Sequence, residues 1–414
     1  MTDLTFNGGI VGASIGNQQF TMRNLIFNNC VTAINQLWDW GWVYQGISIN
    51  NCQIGIDISA GGSSAQNVGS VTLIDSSITN TPIGIITAFT SSSSPSTAGS
   101  LILENVQLTN VPTAIQLNTG ATVLLGTAGS MTIAGWGEGH QYTPNGPSNF
   151  QGPITPNSRP TSLLSESAYY TQSKPQYGSL PLTSFQSVRA GGAAGNGAAD
   201  DTSALQQVIN TATAAEAVVF FDAGTYRITS TLFIPPGARL VGEAYSVIMS
   251  SGPFFNDMSQ PRPVVQVGNP GDTGRVEWSD MVISTQGTQM GATLIEWNLA
   301  SPAGNPSGMW DVHTRIGGFT GSGLQYAQCP STPDSTTRNN ACIGSYMSLH
   351  ITSSASGLYI ENCWLWTADH DIDDSANRQI TIYNGRGLLI ESVAGNIWLQ
   401  VFYLSPLDLG QFWG

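Results

Sequence analysis

Four stretches in the first 120 residues carry one pattern of apolar and polar positions. They are NLIFNNCVTAI (24–34), GISINNCQIGI (46–56), DSSITNTPIGI (75–85) and NVQLTNVPTAI (105–115). Each has an apolar residue (Phe27, Ile49, Ile78, Leu108) and an asparagine two positions on (Asn29, Asn51, Asn80, Asn110). Each then has a small residue (Ala33, Gly55, Gly84, Ala114) just before an isoleucine. The asparagines lie 22, 29 and 30 residues apart, and the excess over 22 matches two Ser/Gly-rich insertions at 60–70 and 90–100. Alternation with period two predicts short strands, and its recurrence predicts stacked structural repeats. The fold class expected is all-β, a right-handed parallel β-helix with one coil per repeat. Coils stacked at ~4.8 Å bring equivalent residues into ladders. The four asparagines then form a ladder whose amides satisfy the turn backbone.

The pattern stops near residue 125. The stretch 126–184 is rich in Pro, Ser and Gln and reads as a long linker lying on the surface. A second module follows from 185. A Gly-rich turn leads into a helix within 187–212, with Asp200 or Asp201 as N-cap and an apolar stripe of Leu205, Val208 and Ile209. Strand patterns recur at 217–228, 230–243, 262–268, 276–284, 291–297, 345–370 and 378–399. The expected organisation is part of a first β-helix (1–125), a linker (126–184), a second β-helix opened by a capping helix (185–399), and a tail of unrelated pattern (400–414).

Composition narrows the partners. Only 9% of residues are charged and the net charge is −14. This argues against nucleic acid or an anionic membrane as partner. A 41% hydrophobic content with few charges is not that of a disordered chain. No run of 18 apolar residues predicts a membrane span, and MTDLTFNGGIVG lacks the regions of a signal peptide. Among the five cysteines, Cys30 and Cys52 hold equivalent repeat positions and could stack as thiols or bond. Cys329 and Cys342 flank a 12-residue polar loop that a disulfide could close, leaving Cys363 unpaired in a strand.

Candidate chemistry centres on aromatics and carboxylates. Trp38, Trp40 and Trp42 alternate, which places them on one strand face as sugar platforms or as core. Trp364 and Trp366 alternate likewise. Asp369, Asp371 and Asp373 have a spacing that could hold Ca²⁺, but an EF-hand loop needs Gly and Glu where Asp374 and Ile380 stand. His313, His350 and His370 lack metal spacing and read as structural. Glu361 and Glu391 read as structural or groove-lining, not as acids. No metal or cofactor is expected.

Several long segments carry a resemblance. MTDLTFNGGIVGASIGNQQFTMRNLIFNNC (1–30), AGNGAADDT (194–202), VVFFDAGTYRI (218–228), MWDVHTRIGG (309–318), GLYIENCWLWTADHDID (357–373) and YNGRGLLIES (383–392) resemble fungal exo-β-1,3-glucanases of glycoside hydrolase family 55. The resemblance implies two tandem β-helices side by side, with the substrate groove between them. It implies a secreted, monomeric enzyme that hydrolyses laminarin-like β-1,3-glucan from the non-reducing end, with inversion and without a metal. It assigns water positioning to Gln18 or Gln19 in GNQQF, glucose stacking to Trp366, and hydroxyl binding to Asp369. A second water-positioning hydroxyl of the family falls on Gly46.

Two departures modify this. Family members begin with a secretion signal and an earlier section, whereas this sequence starts in mid-module. After Leu399 the family continues into a segment carrying its general acid, where this sequence reads QVFYLSPLDLGQFWG. The acid has no counterpart here, so little or no activity is expected of the chain as written. The alternatives are a non-catalytic glucan-binding protein and a pectin-active β-helix enzyme. The sequence lacks the Asn-Thr-Asp, Gly-His-Gly and Arg-Ile-Lys motifs of polygalacturonases, and its negative charge suits a polyanionic substrate poorly.

Overall fold

The computed structural model describes residues 1–404, with side chains through Gln400. The chain divides into two compact units, the first Met1–Tyr169 and the second beginning at Tyr170.

In the first unit the repeats stack in the register that their pattern predicts. Strands Thr2–Asn7, Gln19–Asn28, Ser48–Asn50, Ser70–Thr79 and Ser100–Leu117 run parallel along one face, pairing Phe6, Phe27, Ile49, Ile78 and Leu108 in succession. A second face stacks Thr32–Trp38, Ile54–Asp57, Ile83–Thr87 and the end of Ser100–Leu117, pairing Ile34, Ile56, Ile85 and Ile115. These eight isoleucine, leucine and phenylalanine side chains from Phe27 onward are buried. The small residue before each isoleucine has a packing cause. A Cβ on Gly55 would lie 2.3 Å from the Gly84 carbonyl oxygen, and one on Gly84 would lie 2.6 Å from that of Ala114.

Asparagine sets the corner between the two faces. Asn29, Asn51, Asn80 and Asn110 all have φ between 49° and 57°, the left-handed region that Asn tolerates better than most residues. Asn80 Nδ2 donates to Asn51 Oδ1 at 3.0 Å, and Asn110 Nδ2 donates to Asn80 Oδ1 at 3.0 Å. A second ladder occupies the first position of each repeat. Asp3, Asn24, Gly46, Asp75 and Asn105 also have positive φ, and Asn24 and Asn105 donate to Asp3 and Asp75 at 3.0 and 2.6 Å.

The stretch read from composition as a linker begins differently. Strands Thr122–Thr143 and Gly146–Pro153 form a long antiparallel hairpin, and the first of them pairs along Ser100–Leu117. The physical reason is the open edge of that last parallel strand, whose N–H and C=O groups need partners. The covering strand buries Ile133 and Trp136 but spaces its apolar residues with frequent Gly and Thr, so its sequence shows no repeat of the coil pattern. Residues 154–169 are tied down by charge. Arg159 donates to Asp75 at 2.6 Å and to Glu104 at 2.8 Å, both carboxylates being nearly buried.

The second unit opens with the helix Thr202–Ala214, which buries Leu205, Val208 and Ile209 as its pattern predicts, and Ala212. Asp201 holds the N-cap position without a side-chain cap bond, and the bond to the first helical N–H, that of Thr202, comes from Asp200 at 3.1 Å. The Asp201 carboxylate turns back to the Ala194 and Gly195 N–H groups. Parallel strands Arg239–Ser250, Glu277–Thr285, Ser307–Ile316 and Leu358–Thr367 stack into one face. Arg262–Val267, Ala292–Trp297, Met347–Ile351 and Leu388–Ile390 stack into another. The coil does not end at 399. Ile397–Leu404 pairs along Leu358–Thr367, so the first residues of the segment read as an unrelated tail continue the sheet. The rest of that tail lies outside the described residues. Cys329 and Cys342 form a disulfide, while Cys30, Cys52 and Cys363 are free and buried. No helix among the described residues is long and apolar enough to cross a membrane.

If left-handed asparagine corners hold the coils in register, Asn80→Ala should cost roughly 1–2 kcal/mol, from backbone strain and lost amide bonds together. Asn80→Gly removes the strain alone and should cost about 1 kcal/mol less. Equal denaturant midpoints for the two variants would contradict this.

Candidate functional site

The sequence-predicted residues fall into two groups, one in each unit. In the first unit, Gln18 and Gln19 lie where the chain turns into strand Gln19–Asn28. The Gln18 carbonyl accepts from the N–H groups of Trp40 at 2.6 Å and Gly41 at 3.2 Å. This places the Gln18 backbone beside the next coil's corner. The Gln18 side chain is exposed and that of Gln19 half-buried.

The three tryptophans do not share a face. Trp38 ends strand Thr32–Trp38, Trp40 lies in the corner after it, and Trp42 belongs to strand Gly41–Gln45. Trp40 is 66% exposed and Trp38 40%, but Trp42 is 3% exposed and packs against Phe20 and Tyr44. The chain turns a corner between Trp38 and Gly41, and Asp39 is buried there. Its carboxylate accepts from the Gly69 and Ser70 N–H groups at 3.1 and 3.0 Å and from Gln36 Nε2 at 2.8 Å. Trp38 and Trp40 point outward on either side of Asp39, and the alternation fails after Trp40, where a new strand begins at Gly41. Trp38 meanwhile lies over Gly16, where a Cβ would come within 2.7 Å of the indole.

In the second unit an aromatic and charged row crosses adjacent coils. Arg315 pairs in register with Trp366, and its guanidinium lies 4.2 Å over that indole ring. Trp364 meets Trp366 edge-on at 6.3 Å, and His313 meets Trp364 likewise at 6.3 Å. Tyr245 extends the row to His313 at 5.5 Å, and His370 lies 5.8 Å from Trp366 at its other end. Burial holds the His313 imidazole below its usual pKa. Its Nδ1 faces the Trp364 N–H at 3.1 Å, so the neutral ring accepts there. Asp369 projects into solvent, 73% exposed, with His370 Nδ1 2.7 Å from its Oδ1.

Lys174 bridges Asp280 at 2.8 Å and Asp311 at 3.0 Å, and Asn362 donates to Asp311. Asp280, Asp311 and Asn362 all have positive φ, so this cluster repeats the corner device of the first unit.

The other carboxylates near the row have partners of their own. Asp371 is buried, a cost that its bonds from the Tyr326 N–H and Gln325 outweigh, so its pKa lies below the ordinary value. Asp373 accepts from the Thr320 N–H at 2.6 Å. Arg378 bonds Asp374, lowering its pKa to about 2. Glu361 is buried against the Tyr359 hydroxyl, and His350 lies between Glu391 at 2.7 Å and Glu296 at 3.7 Å. Sequence reasoning did not single out Arg315, whereas His313, read as structural, accepts the Trp364 N–H. The signal was the alternation in DVHTRI, which sets His313 and Arg315 on the face that Trp364 and Trp366 occupy one coil later.

Stacked parallel coils with ladders at their corners define the class, a pectate-lyase-like parallel β-helix. A family model described as rhamnogalacturonase A/epimerase, pectate lyase-like, matches residues 1–57 and 185–305. More particularly, the chain is a homologue of a glucan 1,3-beta-glucosidase from Cochliobolus carbonum, being 47% identical to it over 402 residues. A probable glucan endo-1,3-beta-glucosidase from Arthroderma benhamiae is 37% identical over 497 residues. Each match covers 96% of this chain, but 50% and 56% of the relative, so the chain spans about half the length of the curated relatives it matches. The solved structure of sacteLam55A from Streptomyces sp. SirexAA-E overlaps 96% of this chain and 67% of its own, with 15% identity and a TM-score of 0.39.

Burial raises the pKa of Asp39 to about 6, whereas an unfolded Asp titrates near 3.9. The native state therefore takes up this proton first, and the Asp39 contribution to stability rises as pH falls from about 6 to about 4. Compared with Asp39→Asn in urea melts, the wild type should gain stability between pH 7 and pH 4.5. A pH-independent difference between the two would contradict the assignment.

Proposed function

We propose that the protein acts on β-1,3-glucan, hydrolysing laminarin-like chains from the non-reducing end with inversion. The observation that carries this reading is the row of Arg315, Trp366, Asp369 and His370. Pyranose C–H faces pack on flat indole rings, and exposed carboxylates accept sugar hydroxyl protons. Arg315 covers one face of Trp366 and holds its ring in place, so the opposite face takes the glucose. Asp369, with His370 beside its Oδ1, offers its other oxygen to sugar hydroxyls.

Inverting hydrolysis needs an acid at the leaving oxygen and a held water on the other side of the sugar. We propose Gln18 or Gln19 for water positioning, as the family resemblance implies, and Trp38 and Trp40 for further sugar contacts. Trp42 has no such role, because it is core. The roles proposed for described residues are thus binding and water positioning, and the general acid is not among them. We place the action outside the cell, by a monomer, where the Cys329–Cys342 disulfide persists.

Calorimetric titration with laminarihexaose tests the binding group. Trp366→Ala should weaken affinity by roughly tenfold or more, and Asp369→Asn by a smaller factor. Unchanged affinity in Trp366→Ala would refute the reading. Wherever sugar is released, proton NMR should show the α-anomer first, and a β-anomer appearing first would refute inversion; binding with no sugar released would favour a non-catalytic glucan-binding protein.

A further inference from the structure

The Ser-rich insertion at 90–100 and the hairpin that covers the last coil together make something that the stacked coils alone do not. Between them, within the first unit, lies an open cleft of about 460 Å³, inside the ~300–1,000 Å³ range of small-molecule sites. Phe89, Thr90 and Ser91 form the insertion side, and Asn149, Phe150 and Gln151 the hairpin side. Leu117, Thr122 and Val123 of the last coil and the following strand complete it.

The lining contains no charged side chain. It combines apolar surface from Phe150, Val123 and Leu117 with the amides and hydroxyls of its two sides. Both amides are held from behind. Gln151 Nε2 donates to Glu138 at 2.9 Å, and Glu138 is fully buried. Asn149 Nδ2 donates to the Ser91 carbonyl at 2.9 Å, while its Oδ1 lies 2.8 Å from His140 Nδ1. The Asn149 bond also fixes the insertion against the hairpin. The insertion is braced internally, as the Thr90 N–H donates to Ser93 Oγ at 2.8 Å. Fixed polar groups around a small apolar surface, without charge, match a neutral polyhydroxylated ligand rather than an ion or a lipid.

We propose that this cleft is a second saccharide site, separate from the Trp366 row, that binds a short stretch of β-1,3-glucan. The choice of β-1,3-glucan rests on the function proposed above; the neutral saccharide character of the site rests on its lining. The site holds polymer without taking part in chemistry.

Hydrogen exchange of the full chain with and without saturating laminarihexaose tests this. Protection is expected at 88–92, 117–123 and 149–151, read separately from 364–370, which reports on the Trp366 row. Thr122→Trp, which fills the cleft, and Gln151→Ala, which removes one held amide, should each raise the half-saturation concentration at the cleft segments roughly tenfold. Neither should change protection at 364–370. No protection at the cleft segments, or protection that neither variant weakens, would overturn the proposal. Loss of protection at 364–370 alone would count against the Trp366 reading and leave the cleft standing.

Discussion

A parallel β-coil must turn a corner at the same place in every repeat, and here that corner is left-handed. An L-residue pays for that conformation unless its side chain bonds locally. Asparagine and aspartate solve the problem twice, once by tolerating the angle and once by bonding the equivalent residue in the next coil. The second unit uses the same device with Asp280, Asp311 and Asn362. With corners locked in register, side chains at matching positions must lie one above another on the faces.

The candidate site follows from that constraint. Arg315 meets Trp366 because the two are register partners on adjacent coils. Trp364 sits two residues before Trp366, and His313 two before Arg315, so period-two alternation sets all four on one face. The row is thus an outward counterpart of the inward ladder of isoleucines. The Lys174 bridge to Asp280 and Asp311 ties the corner beside this row.

The sequence made the repeats legible because their apolar and asparagine positions recur with little variation, and the register partners are the residues that the alignment matched. The second corner ladder was also written in the four repeats, but its mixture of Asn, Gly and Asp hides it. The hairpin was illegible because covering an edge takes backbone hydrogen bonds, which leave little mark on composition. The three alternating tryptophans misled for a different reason. One strand ends at Trp38 and the next begins at Gly41, and a period rule presumes a continuous strand. Arg315 was missed because its role exists only across coils, between residues 51 positions apart.

The coil register builds the row around Trp366, and glucan binding there is the proposal to be tested. The most direct measurement is a crystal structure with laminaritriose bound. The account predicts a pyranose ring flat against the Trp366 face opposite Arg315, with its hydroxyls at the Asp369 carboxylate. Sugar bound elsewhere, with that face bare at full occupancy, would contradict it.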